Sequence, residues 1–235
     1  MSDDYSKAPR LYVTETLAPE CDISLCGDHV HYLLNVLRKI DGTLVRVFNG
    51  QDGEFVGRIK SHTKKTASLL SLKKIRDQKN TGRDVHLYFA PIKKDRLSLL
   101  IEKSVELGVT HFHPVISDRT ENRKFNPDKL EKQIIEAVEQ CERLTCPILH
   151  NAVAVSQCRF TKPAYAAIER MDSPIFNGDI KNDSPIGIII GPEGGWTENE
   201  IAEFIRNDAV IATSLGSNIL RAETAAFFML SRIVK

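Results

Sequence analysis

The chain has 235 residues, with 32 Lys and Arg against 31 Asp and Glu, a formal net charge of +1. Apolar residues make up 42% and charged residues 27%, an ordinary globular balance in a chain long enough for one large domain or two small ones. This excludes disorder, collagen and a small disulfide scaffold, and argues against a uniformly basic nucleic-acid binder, though not against a local basic patch.

The opening stretch MSDDYSKAPR contains no apolar run, so no signal peptide is expected. The longest apolar run, 225–230, is far below the ~20 residues of a membrane span. The five cysteines (Cys21, Cys26, Cys141, Cys146, Cys158) are odd in number and form no C-x-x-C pair. Reduced thiols in a cytoplasmic protein are the expectation.

The first ~75 residues read mostly as short strands, at 43–48, 54–60 and 66–72, punctuated by Asn49-Gly50 and Asp52-Gly53. One helix interrupts them, capped by Asp28, with Val30, Leu33, Leu34 and Leu37 on its apolar face. Short strands with one helix predict a small β-barrel over 1–75. The polar segment 73–84, KKIRDQKNTGRD, is the linker candidate, with 76–84 as its core.

From residue 85 the pattern alternates. Strands are predicted at 85–90, 112–116, 148–153, 175–177, 186–190 and 210–215. Helices are predicted at 95–107 and 223–234, and from Asn126-Pro127 to about Cys146, where Pro147 ends the pattern. Such alternation predicts an α/β domain over 85–235 with a largely parallel sheet.

Two His-x-His pairs are candidate metal ligands. His29 and His31 lie on a helical pattern, where positions two apart do not share a face. His111 and His113 lie on a strand and do share one, but no further ligands stand near them in sequence. A metal site takes three or four ligands, so none is expected.

Two stretches carry chemistry. In Gly187-Ile-Ile-Ile-Gly191-Pro192-Glu193-Gly194-Gly195-Trp196-Thr197, a buried strand enters a Gly-rich turn, and Thr197 with Glu200 forms a capping box for the next helix. The turn falls at the carboxyl end of a parallel strand, where open α/β sheets bind ligands. It lacks the Lys of a phosphate loop, and Glu193 favours a neutral or cationic ligand. A plain strand–helix turn explains the spacing equally well. In the second stretch, Leu215-Gly216-Ser217-Asn218-Ile219-Leu220-Arg221-Ala222-Glu223-Thr224-Ala225, Arg221 and Glu223 are charges in an apolar segment. They suit a mutual ion pair, favoured by spacing alone, or a pocket.

Charge is unevenly spread. Residues 1–84 carry 14 basic against 11 acidic side chains, and the remainder 18 against 20. Arg58, Lys60, His62 and Lys64 alternate along one strand, a face that is solvated or tracks a nucleic-acid backbone. Arg119, Arg123 and Lys124 form a second cluster.

Taken with His31-Tyr32-Leu33-Leu34-x-Val36-Leu37-Arg38, Lys103-x-x-Glu106-Leu107-Gly108-Val109 and Glu136-Ala137-x-Glu139-Gln140-Cys141-x-Arg143, these two stretches give five motifs in order across the chain. The sequence resembles the ribosomal RNA small subunit methyltransferase E (RsmE) family of the SPOUT superfamily, 16S rRNA uridine N3-methyltransferases. The resemblance implies a PUA-like RNA-binding β-barrel followed by an α/β trefoil-knot methyltransferase domain. It implies a homodimer, S-adenosylmethionine (SAM) as methyl donor, and 16S rRNA in the assembled small ribosomal subunit as partner, with no role for DNA or membrane. The cofactor-binding residues it implies are Gly191, Pro192, Glu193, Gly194, Gly195, Leu215, Gly216, Ile219, Leu220, Thr224 and Ala225. Arg221 would stabilise the developing uridine anion and Glu223 would orient Arg221, with Arg10 a weaker candidate for contact with RNA or the partner's active site. Arg38, Arg58, Lys60, Lys64, Arg119 and Arg123 would face RNA. The family more often has Thr where Ala222 stands. The alternatives are a SPOUT ribose 2′-O-methyltransferase acting on tRNA or rRNA, and a non-catalytic RNA-binding assembly factor.

Overall fold

A computed structural model describes residues 5–63, 65–79, 82–180 and 184–233, excepting the side chain of Cys26. Lys64 therefore lies outside the described residues. The chain divides into two compact units, Met1–Asn80 with Val138–Cys146, and Thr81–Ala137 with Pro147–Lys235.

The first unit is built on β1 (Arg10–Tyr12), β2 (Ile23–Cys26), β3 (Leu44–Phe48), β4 (Glu54–Thr63) and β5 (Thr66–Arg76), in the sheet order β1-β3-β4-β5-β2. All neighbours are antiparallel except β1 and β3. Alternation along the strands sends one set of side chains inward. Leu11, Leu25, Val45, Val47, Phe55, Ile59 and Leu69 come from all five strands and share one core. The helix expected after Asp28 is brief: α1 (Gly27–Val30) passes into a π-helical turn, His31–Val36, that seats Leu33 in that core. Strand β5 runs four residues into the polar segment read as linker, because the long β4 pairs with it as far as Glu54–Arg76.

The same unit buries a charge cluster. Glu54 is fully buried and accepts from Arg10 Nε at 2.7 Å and from Arg76 at 3.1 Å. The Arg10 guanidinium also donates to the carbonyls of Val138 and Arg143 and lies over the Phe48 ring, 3.6 Å from its centroid. Arg10 is thus inside the first unit at 7% exposure, which corrects its reading as an arginine available to RNA. The reason is a carboxylate 44 residues away that spacing does not reveal.

The second unit is a seven-stranded, all-parallel sheet of β6 (Val85–Phe89), β7 (His111–Ile116), β8 (Ile148–Leu149), β9 (Val153–Ala154), β10 (Ala164–Ala167), β11 (Ile186–Ile190) and β12 (Val210–Thr213). Their order is β12-β10-β11-β6-β7-β8, with β9 also on β7. Its helices are α2 (Lys94–Glu106), α3 (Pro127–Gln140), α4 (Glu198–Arg206) and α5 (Ala222–Ile233). Helix α3 stops six residues short of Cys146, and its final residues belong to the first unit.

Three strand assignments change. The strand expected at 148–153 is two short ones, β8 and β9, both paired with β7. The segment 175–177 contributes only one bridge, Ile175 to Ser214, while the strand between β11 and β12 is β10. The sequence Ala-Tyr-Ala-Ala lacks the β-branched residues that mark strands. Its small side chains are what the position needs, since a Cβ on Gly187 of β11 would lie 2.8 Å from Ala164 Cβ. Among the described residues, no helix is long and apolar enough to cross a membrane.

Candidate active site

The carboxyl ends of β10, β11 and β12, three adjacent parallel strands, release loops 168–173, 191–197 and 214–221. Together with Arg96 of α2 these loops line a cleft of about 860 Å³. The volume suits a drug-sized ligand or cofactor.

The Gly-rich turn is held from both sides. Its helix end is the capping box foreseen in the sequence: Thr197 Oγ1 accepts from Glu200 N at 3.3 Å, and Glu200 Oε2 accepts from Thr197 N at 2.8 Å. Glu200 Oε1 also accepts from Asp118 N at 3.0 Å, tying in the loop after β7. From that loop Arg119 donates to the carbonyls of Gly194 and Trp196, at 3.0 and 3.2 Å. Trp196 is buried, donates to Ala167 O at 3.2 Å and covers Gly191 so closely that a Cβ there would lie 2.9 Å from its ring. Gly195 has φ +68° and Gly216 φ +114°, with open space where a side chain would stand. Glycine therefore bares the backbone to a ligand at these two positions.

Of the expected cofactor residues, Gly191, Pro192, Glu193, Gly194, Gly195, Leu215, Gly216, Ile219, Leu220 and Ala225 all line the cleft. Thr224 is exposed and stands outside the lining, because α5 begins at Ala222 and turns it away. Glu193 is exposed, and its Oε1 accepts from Lys93 N at 3.3 Å. It does not make the cleft acidic: the lining holds Arg96, Arg119, Arg170 and Arg221 against Glu169 and Glu193.

Arg221 is exposed on the cleft, and its carbonyl accepts from Ala225 N at 2.8 Å to start α5. Glu223 is buried just inside that helix. Among the described residues its ion-pair partner is Arg96, Nε to Oε1 at 3.9 Å, and not Arg221. Glu223 Oε2 is buried with no hydrogen-bond partner among them. The mutual Arg221–Glu223 bridge favoured by spacing is thus replaced by an Arg96–Glu223 contact across α2 and α5.

The cationic residues assigned to RNA divide. Arg38, Arg58 and Lys60 are exposed on the first unit, with Arg58 and Lys60 on the same face of β4 and Arg58 donating to Gly42 O at 3.1 Å. Arg119 and Arg123 spend their guanidinium groups on loop carbonyls, Arg123 on those of Ser117, Asp118 and Thr120. Arg96, Trp196 and the loop after β10 belong to the site and were not anticipated. The rule that ligands bind at strand carboxyl ends would have found Arg96, which opens the helix after β6.

Residues 78–234 match the family model described as an RNA methyltransferase domain, and residues 25–70 match an RNA methyltransferase PUA domain. The ribosomal RNA small subunit methyltransferase E of Rickettsia conorii is 37% identical over 97% of this chain and 95% of its own length. This chain belongs to the ribosomal RNA small subunit methyltransferase E family. The family enzyme from Neisseria gonorrhoeae, solved bound to S-adenosyl methionine, superposes with a TM-score of 0.78 at 29% identity over 95% of both chains. A Legionella pneumophila structure described as a methyltransferase, in complex with SAM, gives a TM-score of 0.84 at 27% identity over 97% of both chains. The E-family architecture is therefore a PUA domain with an α/β methyltransferase domain of SPOUT type, as the sequence resemblance implied.

Proposed function

We propose that this chain transfers the methyl group of SAM to N3 of a uridine in 16S rRNA of the small ribosomal subunit. The observation that carries the reading is the cleft at the ends of β10, β11 and β12, glycine-lined where a cofactor would lie and edged by an exposed Arg221. When bound, SAM supplies a methyl group on a sulfonium, open to in-line displacement. Gly195 and Gly216 present bare backbone to its polar parts, and Leu215, Ile219 and Leu220 would supply an apolar wall for its adenine.

Uracil N3 must lose its proton to attack, so negative charge develops on the ring and its carbonyl oxygens. Arg221 is placed to stabilise that charge. Glu223 fits a positioning role: it lies behind the lining, faces Arg96, which does line the cleft, and keeps one carboxylate oxygen unpaired among the described residues. The target base leaves its stack to reach the cleft. The surplus of arginine over glutamate in the lining suits a polyanionic substrate. Exposed Arg38, Arg58 and Lys60 on the PUA-containing unit add sequence-independent attraction to RNA phosphates. The same reading includes a knotted second unit, a homodimer, cytoplasmic residence and the assembled subunit as substrate.

The test is transfer from labelled SAM to naked 16S rRNA and to assembled small subunits, with the methylated atom mapped by mass spectrometry. A label on uracil N3 is the expected result. A label on a ribose 2′ oxygen would replace the base reading with the ribose one, and absence of SAM binding would favour a non-catalytic RNA-binding factor.

A further inference from the structure

A second cluster of ligating side chains stands in the second unit, and none of its members lines the cleft. The parallel register of β6 and β7 sets His86 opposite His111 and Tyr88 opposite His113. Alternate residues of a strand share a face, so both histidines of β7 point the same way as His86. His150 follows β8, where its N–H donates to Phe112 O at 2.9 Å and brings its ring onto His113.

The four rings form two hydrogen-bonded pairs laid one over the other. His86 Nδ1 and His113 Nε2 are 2.9 Å apart, and His111 Nδ1 and His150 Nε2 are 3.0 Å apart. His86 stacks on His111 with centroids 4.2 Å apart, and His113 on His150 at 4.0 Å. His86, His111 and His113 each offer a ring nitrogen within 4.8 Å of the other two. All four residues are partly exposed, so an ion has access from solvent.

An N–H···N contact between imidazoles needs a lone pair on the accepting nitrogen, so one ring of each pair already presents a nitrogen of the kind that binds metal, and the donor ring presents one once its proton is lost or moves to its other nitrogen. Four ligands at the ~2.0–2.1 Å zinc–nitrogen distance sit about 3.3 Å from one another in a tetrahedron. The two hydrogen-bonded nitrogen pairs need to open by a few tenths of an ångström, while the rings tilt to close separations of up to 4.8 Å within the His86, His111 and His113 group, and His150 swings in from outside that group. Tyr88 is not among the candidates, because its hydroxyl already bonds Thr161.

We propose that His86, His111 and His113, with His150 as the fourth ligand, bind one divalent transition-metal ion of the imidazole-preferring class, such as Zn²⁺, Ni²⁺ or Cu²⁺. The site lies at the amino-terminal ends of β6 and β7, whereas the proposed methyl-donor cleft lies at the carboxyl ends of their neighbours. It therefore stands independently of the proposed methyl transfer. Metal binding would clamp β6, β7 and β8 together and raise the melting temperature with the logarithm of the free ion concentration above the dissociation constant.

The test uses tag-free, chelator-treated full-length chain, titrated with ZnCl₂ and NiCl₂ by calorimetry, with Co²⁺ absorption as a report of ligand geometry. One equivalent per chain is expected, at a dissociation constant of micromolar or tighter, with a raised melting temperature. The double variant His111→Asn/His113→Asn should weaken binding at least 100-fold while retaining SAM binding, and the single variants His86→Asn and His150→Asn provide the same test if the double variant does not fold. No stoichiometric binding to the parent chain would overturn the proposal. So would undiminished binding in folded variants, or binding lost instead in His29→Asn/His31→Asn.

Discussion

The two units treat their buried charge in opposite ways. In the first, Glu54 is surrounded by Arg10, Arg46 and Arg76 at 2.7, 3.8 and 3.1 Å, and Arg10 finds further partners on backbone carbonyls. In the second, Glu223 is also buried but, among the described residues, meets a single guanidinium at 3.9 Å and leaves an oxygen unpaired, while Arg221 stands exposed on the cleft. A satisfied cluster holds a fold together. A partly satisfied one beside a cavity has capacity left for a ligand, and burying such a carboxylate costs stability that the rest of the unit offsets. The contrast puts Arg10 in the architecture and leaves Arg221 free for the chemistry proposed for it.

The largest effect expected from this contrast is on stability. Glu54→Ala leaves Arg10 buried without its carboxylate and should cost about 3–5 kcal/mol, as breaking a buried pair from one side does. Denaturant unfolding measures it, with the SAM affinity of folded protein unchanged. A loss below about 1 kcal/mol would mean that the cluster is not structural. Next comes the cleft. Gly191→Ala drives a Cβ to within 2.9 Å of the buried Trp196 ring, so the turn must shift. Overpacking of this kind costs about 1–3 kcal/mol, and calorimetry should show SAM affinity at least tenfold weaker. Unchanged affinity would remove the turn from the cofactor site.

Smaller effects separate the remaining charges. Arg58→Ala with Lys60→Ala should reduce affinity for rRNA and lower its salt dependence by about one unit of slope per lost phosphate contact. SAM binding should not change, and an unaltered salt slope would make that β4 face merely solvated. Smallest is an acid effect in the first unit. A hydrogen bond from Arg46 holds the Glu142 carboxyl below its ordinary range. The stabilisation from Glu142 is therefore complete above the unfolded value near 4.5 and is lost as pH falls below it. Glu142→Gln should flatten the unfolding free energy between pH 5 and pH 3, and an unaltered acid limb would contradict the assignment.

These assignments also mark how far the sequence was legible. Local signals carried through: the Thr197–Glu200 box, the Gly-rich turn after β11 and the Gly216 loop are all read from neighbours a few residues apart, and they stand where the pattern put them. What escaped depends on distant partners. Arg10 looked like a free terminal arginine because Glu54 is far along the chain, and Glu223 looked paired with Arg221 because Arg96 is on another helix. The histidines His111 and His113 lacked companions until parallel strands brought His86 and His150 beside them. Strand β10 was missed for a local reason, since its alanines carry no strand preference and serve the close approach of Gly187.

The contrast between the two arginines is tested most directly on Arg221→Ala, by measuring SAM affinity and the rate of methyl transfer to assembled small subunits on one preparation. The account predicts unchanged SAM affinity and a transfer rate lower by about 10²–10³-fold, the usual cost of losing one stabilising donor. Transfer at the parent rate would contradict the role given to Arg221. Loss of SAM binding in a folded variant would make it a cofactor ligand rather than the group that stabilises the uridine anion.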